Sequence, residues 1–121
     1  MKSCLIVEDS KVIRMVARKI LQGLEFDTSE AADGREALDA CKAQLPDAVL
    51  LDWDMPVMDG LEFLIELRKL SGGDAPVVVC CTTETDIKNI QKAIECGANE
   101  YIMKPFDSEI IQVKFTQVGL L

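Results

Sequence analysis

Three acidic residues of this 121-residue chain come directly after short apolar runs. Glu8 and Asp9 follow the run 4–7, and Asp52 follows the run 48–51. Runs of this kind are typical of parallel strands that are buried on both faces. Ligands bind at the carboxyl ends of such strands. Two strands that end on carboxylates can therefore bring three acids into one crevice.

Two further polar side chains follow short apolar runs in the same way. Thr82 comes after the run 77–81, and Lys104 comes after the run 101–103. Three acids, a hydroxyl and an amine at strand ends indicate a site for a divalent cation and a phosphoryl group. Mg²⁺ takes oxygen ligands and is usually held by one or two carboxylates together with phosphate oxygens. Asp9 and Asp52 are the candidate carboxylates.

The alternative is that these acids are ordinary solvated loop residues. That interpretation suits a single acid better than three acids on neighbouring strands, because three carboxylates repel one another without a compensating cation. Glu8 is expected to contact the cation through water.

The composition limits the class of protein. The net charge of −8 disfavours non-specific binding to nucleic acid, and no apolar stretch is long enough for a membrane span. The N-terminus does not resemble a secretory signal, so a cytoplasmic location is expected. The five cysteines show no C-x-x-C pair and the chain has no histidine, which favours buried reduced thiols over a zinc site.

The apolar runs alternate with amphipathic stretches along residues 1–121, which predicts a single α/β domain with a parallel sheet. Ser10 can cap a first helix that ends near Gly23, and Asp33-Gly34 opens a second. Thr85-Asp86 is expected to begin the fourth helix. Asp107 or Ser108 begins the fifth, which runs towards Val118.

Other elements are predicted from apolar spacing and polarity. The first helix keeps Val12, Ile13, Val16, Ile20 and Leu21 at helical spacing, and the third carries Leu61, Leu64, Ile65 and Leu67. A polar strand around residues 26–31 is expected at the sheet edge.

Four motifs, taken together, resemble a known family. They are Glu8-Asp9, the segment 52–60 (DWDMPVMDG), the segment 82–84 (TTE) and the segment 97–106 (GANEYIMKPF). In this order and spacing the chain is similar to the receiver domain of bacterial two-component response regulators, of the single-domain CheY-like type. The resemblance covers essentially the whole length. It implies a flavodoxin-like, doubly wound sheet of five parallel strands in the order 2-1-3-4-5 with five helices.

The resemblance implies that Asp52 accepts a phosphoryl group from a phosphohistidine of a partner kinase. Mg²⁺, for which Mn²⁺ could substitute, would be bound by Asp9, Asp52 and the main-chain carbonyl of Asp54, with Glu8 nearby. Lys104 would pair with the phosphoryl oxygens or with Asp52. The Lys104-Pro105 peptide bond would be cis.

The resemblance also implies a switch pair, Thr82 and Tyr101. The threonine hydroxyl would bond the phosphoryl group, and the tyrosine ring would then enter the vacated volume. Counting forward from Pro76 puts Cys81 at the threonine position, whereas counting back from Lys104 gives Thr82. The second count also matches Glu84 and is preferred.

Two acids are expected to affect how long the phosphoryl group persists. Asp54 and Glu84 would border the route of the water that removes it. Asp54 would either repel that water or add an outer contact to the metal, unless it is only a solvated turn acid.

The resemblance further implies a phosphoryl acceptor that promotes its own phosphorylation and slow dephosphorylation, and not an enzyme acting on a separate substrate. Its expected partners are a sensor histidine kinase or a histidine phosphotransferase, and a downstream protein that sequence cannot identify. With no effector domain in residues 1–121, the signal is expected to leave a monomer through the surface formed by the fourth helix, the fifth strand and the fifth helix. That surface is expected to include Lys88, Lys92, Tyr101, and residues 104–106 and 112–115.

Three other interpretations fit less well. A haloacid dehalogenase-type phosphatase would carry its Asp-x-Asp motif on the first strand, whereas Asp52 and Asp54 follow the third. A flavodoxin-like nucleotide binder would need a phosphate loop where Glu8 and Asp9 stand. A receiver used only for docking would not need Asp9, Asp52, Thr82 and Lys104 together.

Overall fold

The computed structural model describes residues 1–83 and 87–121, apart from the side chain of Ile87. The strands in these ranges are β1 (Ser3–Val7), β2 (Asp27–Ala31), β3 (Ala48–Asp52), β4 (Val77–Thr82) and β5 (Glu100–Met103). The helices are α1 (Lys11–Gly23), α2 (Gly34–Ala43), α3 (Gly60–Lys69), α4 (Ile87–Glu95) and α5 (Ser108–Gln117). No helix of the described ranges has the length and apolar content that crossing a bilayer requires.

The five strands form one parallel sheet in the order β2-β1-β3-β4-β5. The predicted doubly wound fold is therefore confirmed, with the polar strand β2 at one edge. Val7 at the end of β1 lies opposite Leu51 of β3. The residues that follow these two strands are consequently neighbours at the carboxyl edge of the sheet.

Side-chain alternation along the strands divides the core into two layers. Leu5 and Val7 point into the layer that contains Phe63 of α3, whereas Cys4 and Ile6 point into the layer that contains Phe115 of α5. Because successive side chains of a strand point to opposite faces, both faces of the sheet are covered.

The adjacent cysteines of β4 follow the same alternation. Cys80 packs in the α3 layer and Cys81 in the α5 layer, as their position in a strand predicts. Burial raises the pKa of the Cys80 thiol to about 12. These thiols therefore serve as small apolar side chains.

Helix starts follow the predicted capping residues. The side chains of Ser10, Asp33 and Asp107 each accept a hydrogen bond from a backbone N–H of the first turn, so α5 begins at Ser108 with Asp107 as its cap. The predicted start of the fourth helix at Thr85-Asp86 lies outside the described residues.

Helical spacing alone did not identify every buried position. In α1 the buried side chains are Ala17 and Leu21, while Val12 and Val16 are exposed. Residues four apart share a helix face, and the 17/21 face is the one that meets the sheet. In α3, Phe63 is fully buried although the predicted set omits it, whereas Leu61 and Ile65 are only partly buried.

The end of the sheet away from the acids is held by one side chain of α3. The Arg68 guanidinium donates hydrogen bonds to the carbonyl oxygens of Gly73, Pro76 and Gly97 and to Oδ1 of Asn99, at distances from 2.6 to 3.2 Å. These acceptors precede β4 and β5. Arg68 therefore joins the end of α3 to the starts of two strands.

Replacement of Arg68 tests this interaction. We expect Arg68→Lys to lower the free energy of unfolding by about 3 kcal/mol, because an ammonium group cannot reach the same set of carbonyl oxygens and leaves some of them unpaired. Arg18→Lys is the matched control, since Arg18 pairs with Glu30 at the surface, and it should change stability by less than about 1 kcal/mol. Urea unfolding measures both, and equal losses would contradict the role given to Arg68.

Candidate functional site

The predicted acids converge at the carboxyl edge of the sheet. One carboxylate oxygen from each of Glu8, Asp9 and Asp52 lies within 4.8 Å of the other two. Glu8 and Asp52 are each only 4% exposed, whereas Asp9 is exposed. The cluster is therefore closed on the protein side and accessible beside Asp9.

The composition of this cluster suits a hard divalent cation. All three groups are carboxylates, and neither a thiolate nor an imidazole takes part. Mg²⁺ binds oxygen ligands at such sites and keeps several of its waters. The exposed position of Asp9 leaves the cluster open to solvent on that side.

Lys104 provides the positive charge that faces the cluster. Its Nζ lies 2.8 Å from Oδ1 of Asp52 and 2.7 Å from Oε2 of Glu8. Pairing with Asp52 was predicted, but pairing with Glu8 was not. The Lys104 ammonium group therefore holds Glu8 directly, and Glu8 also belongs to the carboxylate cluster that could bind a metal ion.

Burial and ion pairing shift the pKa values of these groups in opposite directions. Burial raises the pKa of Glu8 to about 7, although the hydrogen bond from Lys104 works against it. Burial also raises the pKa of Asp52 against the effect of Lys104. For Lys104 itself, burial opposes the charge, but the hydrogen bonds to Asp52 and Glu8 outweigh it and raise the pKa.

The backbone that follows Asp52 is fixed from two sides. The Trp53 N–H donates to the carbonyl of Cys81 in β4, and the Gly60 N–H donates back to the carbonyl of Trp53, both at 3.0 Å. A Cβ atom on Gly60 would lie 2.7 Å from the Asp52 carbonyl oxygen, so glycine permits the close packing of α3 on the strand end. Within this turn Asp54 is exposed.

Thr82 and Tyr101 line the same narrow cleft, together with Trp53 and residues of α4. Thr82 is buried at the end of β4, and its carbonyl accepts a hydrogen bond from the Lys104 N–H at 2.9 Å. Thr82, the residue reached by counting back from Lys104, thus borders this cleft. The side chain of Cys81, the residue reached by the other count, packs in the α5 layer. The two residues of the predicted switch pair therefore border one cleft.

A cation lies over the Tyr101 ring. Lys114 Nζ of α5 lies 5.0 Å from the ring centroid and 3.4 Å from Oε1 of Glu100. Phe115, which was predicted on this surface, is instead fully buried and packs edge-on against Phe26. The face that α5 presents beside β5 is thus polar at Lys114.

The remaining predicted residues are placed as follows. The Lys104-Pro105 peptide bond is cis, as predicted. Glu84 lies outside the described residues. Sequence reasoning missed Arg14, whose guanidinium donates to the carbonyl oxygens of Glu8 and Asp9. A single arginine in the first turns of an amphipathic helix carries no sequence signal that separates it from a solvated surface residue.

The raised pKa of Glu8 predicts how stability depends on pH in protein stripped of divalent cations. Between about pH 5 and 7 the folded protein keeps a proton that the unfolded chain has released, so the free energy of unfolding falls as pH rises through this range. We expect Glu8→Gln to remove about 2 kcal/mol of that fall. Urea unfolding in EDTA, followed by Trp53 fluorescence, measures it.

The control for this experiment is Glu95→Gln, which alters an exposed acid of α4. It should keep the pH dependence of the unmodified protein. An unchanged pH dependence in Glu8→Gln would show that Glu8 ionises at its ordinary pKa in the folded state.

Comparison with known proteins finds relatives among response regulators and chemotaxis proteins. The chain is 34% identical over 118 residues to the chemotaxis protein CheY of Halobacterium salinarum, a match that covers 97% of this chain and 96% of that protein. It is 38% identical over 105 residues to the response regulator MprA of Mycolicibacterium vanbaalenii, covering 87% of this chain. The chain spans about half the length of MprA and of a probable transcriptional regulator, ycf27, from Porphyridium aerugineum.

Solved structures show the same fold. CheY4 of Vibrio cholerae superimposes with a TM-score of 0.92 at 34% identity, over 98% of each chain. The receiver domain of sensor histidine kinase PA1611 from Pseudomonas aeruginosa, solved with a magnesium ion coordinated in the active site cleft, gives a TM-score of 0.88 at 28% identity over 96% of this chain and 95% of that one. The family model of the response regulator receiver domain matches residues 4–116. The chain therefore belongs to the response regulator receiver domain family.

Proposed function

We propose that the protein is a CheY-like response regulator that accepts a phosphoryl group on Asp52 from a phosphohistidine of a partner kinase or phosphotransferase, in a Mg²⁺-dependent reaction. The observation that carries this proposal is the buried Asp52 carboxylate, which lies among two further acids and is paired with Lys104. This arrangement gives one carboxylate that is both positioned and electrostatically balanced for transfer.

Asp9, Asp52 and the main-chain carbonyl of Asp54 hold the Mg²⁺ ion in this proposal, and Glu8 contributes through water. Mn²⁺ substitutes for it. When bound, the ion neutralises negative charge that builds up between the phosphoryl oxygens and the acids. The all-carboxylate cluster of Glu8, Asp9 and Asp52 supports the assignment.

Asp52 is the nucleophile. A carboxylate oxygen attacks phosphorus, an O–P bond forms, and the P–N bond to the donor imidazole breaks. Lys104 holds the carboxylate through its 2.8 Å hydrogen bond before transfer and binds a phosphoryl oxygen afterwards. In dephosphorylation water attacks phosphorus, the O–P bond to Asp52 breaks, and inorganic phosphate leaves, which restores the Asp52 carboxylate.

Thr82 and Tyr101 transmit the change. The phosphoryl group adds negative charge and acceptor oxygens. The Thr82 hydroxyl turns towards one of these oxygens, and the Tyr101 ring enters the cleft that the two residues share. The α4-β5-α5 surface then has two arrangements, one when Asp52 is phosphorylated and one when it is not.

The changed α4-β5-α5 surface binds a downstream protein. Lys88 and Lys92 of α4 are exposed on it, and Lys114 lies over Tyr101. The exposed lysines of α4 can pair with acidic side chains of the partner. We propose that the protein acts as a monomer in the cytoplasm, where its free cysteines, most of them buried, stay reduced.

The acceptor is tested by labelling with acetyl phosphate and Mg²⁺. We expect the unmodified protein to gain the mass of one phosphoryl group and Asp52→Asn to gain none, because an amide is a poor nucleophile. Intact-protein mass spectrometry measures the gain. Asp54→Asn is the matched control and should still be labelled, so labelling that persists in Asp52→Asn would assign the acceptor to another residue.

The cation site is tested separately by titration with Mg²⁺, followed by the fluorescence of Trp53, which adjoins Asp52. We expect Asp9→Asn to weaken Mg²⁺ binding by at least about tenfold, because it removes a charged oxygen ligand. Asp39→Asn, which alters an exposed acid of α2, should leave the affinity unchanged. Equal affinity in Asp9→Asn and the unmodified protein would exclude Asp9 as a ligand.

The lifetime of the phosphorylated state tests the role of Asp54. A carboxylate near the acyl phosphate repels an incoming nucleophile, so we expect Asp54→Asn to shorten the half-life without changing the labelled residue. Decay is followed after removal of the donor, with Asp39→Asn as the control. A half-life equal to or longer than that of the unmodified protein would favour Asp54 as a group that positions water. The corresponding role for Glu84 stays a prediction.

A further inference from the structure

Arg14, in the first turns of α1, contacts the backbone that carries two of the acids. Its Nη1 donates a hydrogen bond to the carbonyl oxygen of Glu8 at 2.7 Å and a longer one to that of Asp9 at 3.4 Å. Its Nε donates to Oε1 of Glu30 at 3.2 Å. The Arg14 side chain is only 16% exposed, so its position is well determined by its surroundings.

The acid-bearing loop between β1 and α1 needs such restraints. Its carboxylates lie close to that of Asp52 and repel it. The Glu8 N–H is bonded to the Ala31 carbonyl at 3.1 Å, and Oε1 of Glu8 accepts from the Ser10 N–H at 3.2 Å. Arg14 restrains the Glu8–Asp9 and Asp9–Ser10 peptide units through their carbonyl oxygens.

Glu30 anchors Arg14 to the sheet. Glu30 belongs to β2 and lies opposite Ile6 of β1 in the strand register. Its second oxygen accepts a hydrogen bond from Arg18 Nη1 at 2.7 Å. The Glu30 carboxylate, which Arg14 and Arg18 share, offsets only part of the Arg14 charge, so Arg14 can act on the neighbouring acids through both its charge and its hydrogen bonds.

We propose that Arg14 is a positioning residue for the cation site: it fixes the backbone of Glu8 and Asp9 so that their carboxylates stay oriented towards Asp52 despite mutual repulsion. This inference rests on the proposed Mg²⁺-dependent function. It adds a residue that contacts neither the ion nor the phosphoryl group.

The sign of the effect separates positioning from simple electrostatics. A guanidinium near a cation site weakens cation binding if only its charge matters, so its removal would tighten binding. If Arg14 holds the acids in place, its removal weakens binding, because the ion must then reorganise the loop.

The experiment measures Mg²⁺ affinity through Trp53 fluorescence. We expect Arg14→Met to bind Mg²⁺ about tenfold more weakly than the unmodified protein. Arg14→Lys should also bind more weakly, because an ammonium group does not reproduce the fork that reaches Glu8 and Glu30 together. Arg18→Met is the matched control, since Arg18 shares Glu30 but has no bond to the acid loop, and it should stay within roughly twofold.

A kinetic measurement adds a second readout. With acetyl phosphate as donor, Arg14→Met should need about tenfold more Mg²⁺ for half-maximal phosphorylation and should reach the unmodified rate at saturating Mg²⁺. A variant that had only lost stability would show a lower melting temperature without a shift in the Mg²⁺ midpoint.

Unchanged or tighter Mg²⁺ binding by Arg14→Met would overturn the inference. If that variant does not fold, as judged by circular dichroism, the same two outcomes are read from Arg14→Lys. Failure of the proposed function looks different: the unmodified protein would then show no saturable response to Mg²⁺, or Asp9→Asn would bind as well as the unmodified protein.

Discussion

The repulsion among three carboxylates at one edge of the sheet is the constraint on which the rest of the site depends. Glu8 and Asp52 are removed from water, where their charges are costly, and Lys104 reaches both of them. One ammonium group does not balance three acids. The cluster therefore favours a divalent cation, and burial, which raises the pKa of Glu8 to about 7, also favours a proton on that carboxylate. Cation binding and proton release are thus linked at a single place.

The fold brings these acids together through the pairing of two strands. Because β1 and β3 are parallel neighbours, the residues after them meet whatever their side chains, and the apolar residues on both faces of the sheet hold that register. An acid cluster at this edge therefore requires only that both strands end on acidic residues. The stability of the core then offsets the electrostatic cost of placing buried carboxylates together, which is why functional groups of this kind lie on the rims of well-packed sheets.

Much of this could be predicted from sequence, because strand runs, caps and strand-end acids are local signals. The element types, the sheet order that the resemblance implies and the convergence of Glu8, Asp9 and Asp52 are of this kind. The long-range pairing of Lys104 with Glu8 and the hydrogen bonds of Arg14 and Arg68 were not predicted. Each depends on which side chains reach across separate elements, and neither spacing nor residue type reveals that distance in a single sequence.

Arg68 fixes the amino ends of β4 and β5, whereas Thr82 and Lys104 stand at the carboxyl ends of the same strands. A displacement that begins at the acids therefore acts on strands whose opposite ends, near Pro76 and Gly97, are attached to α3. These hydrogen bonds oppose a sliding of β4 and β5 along α3, so a change at the carboxyl ends is expected to bend the two strands rather than to translate them.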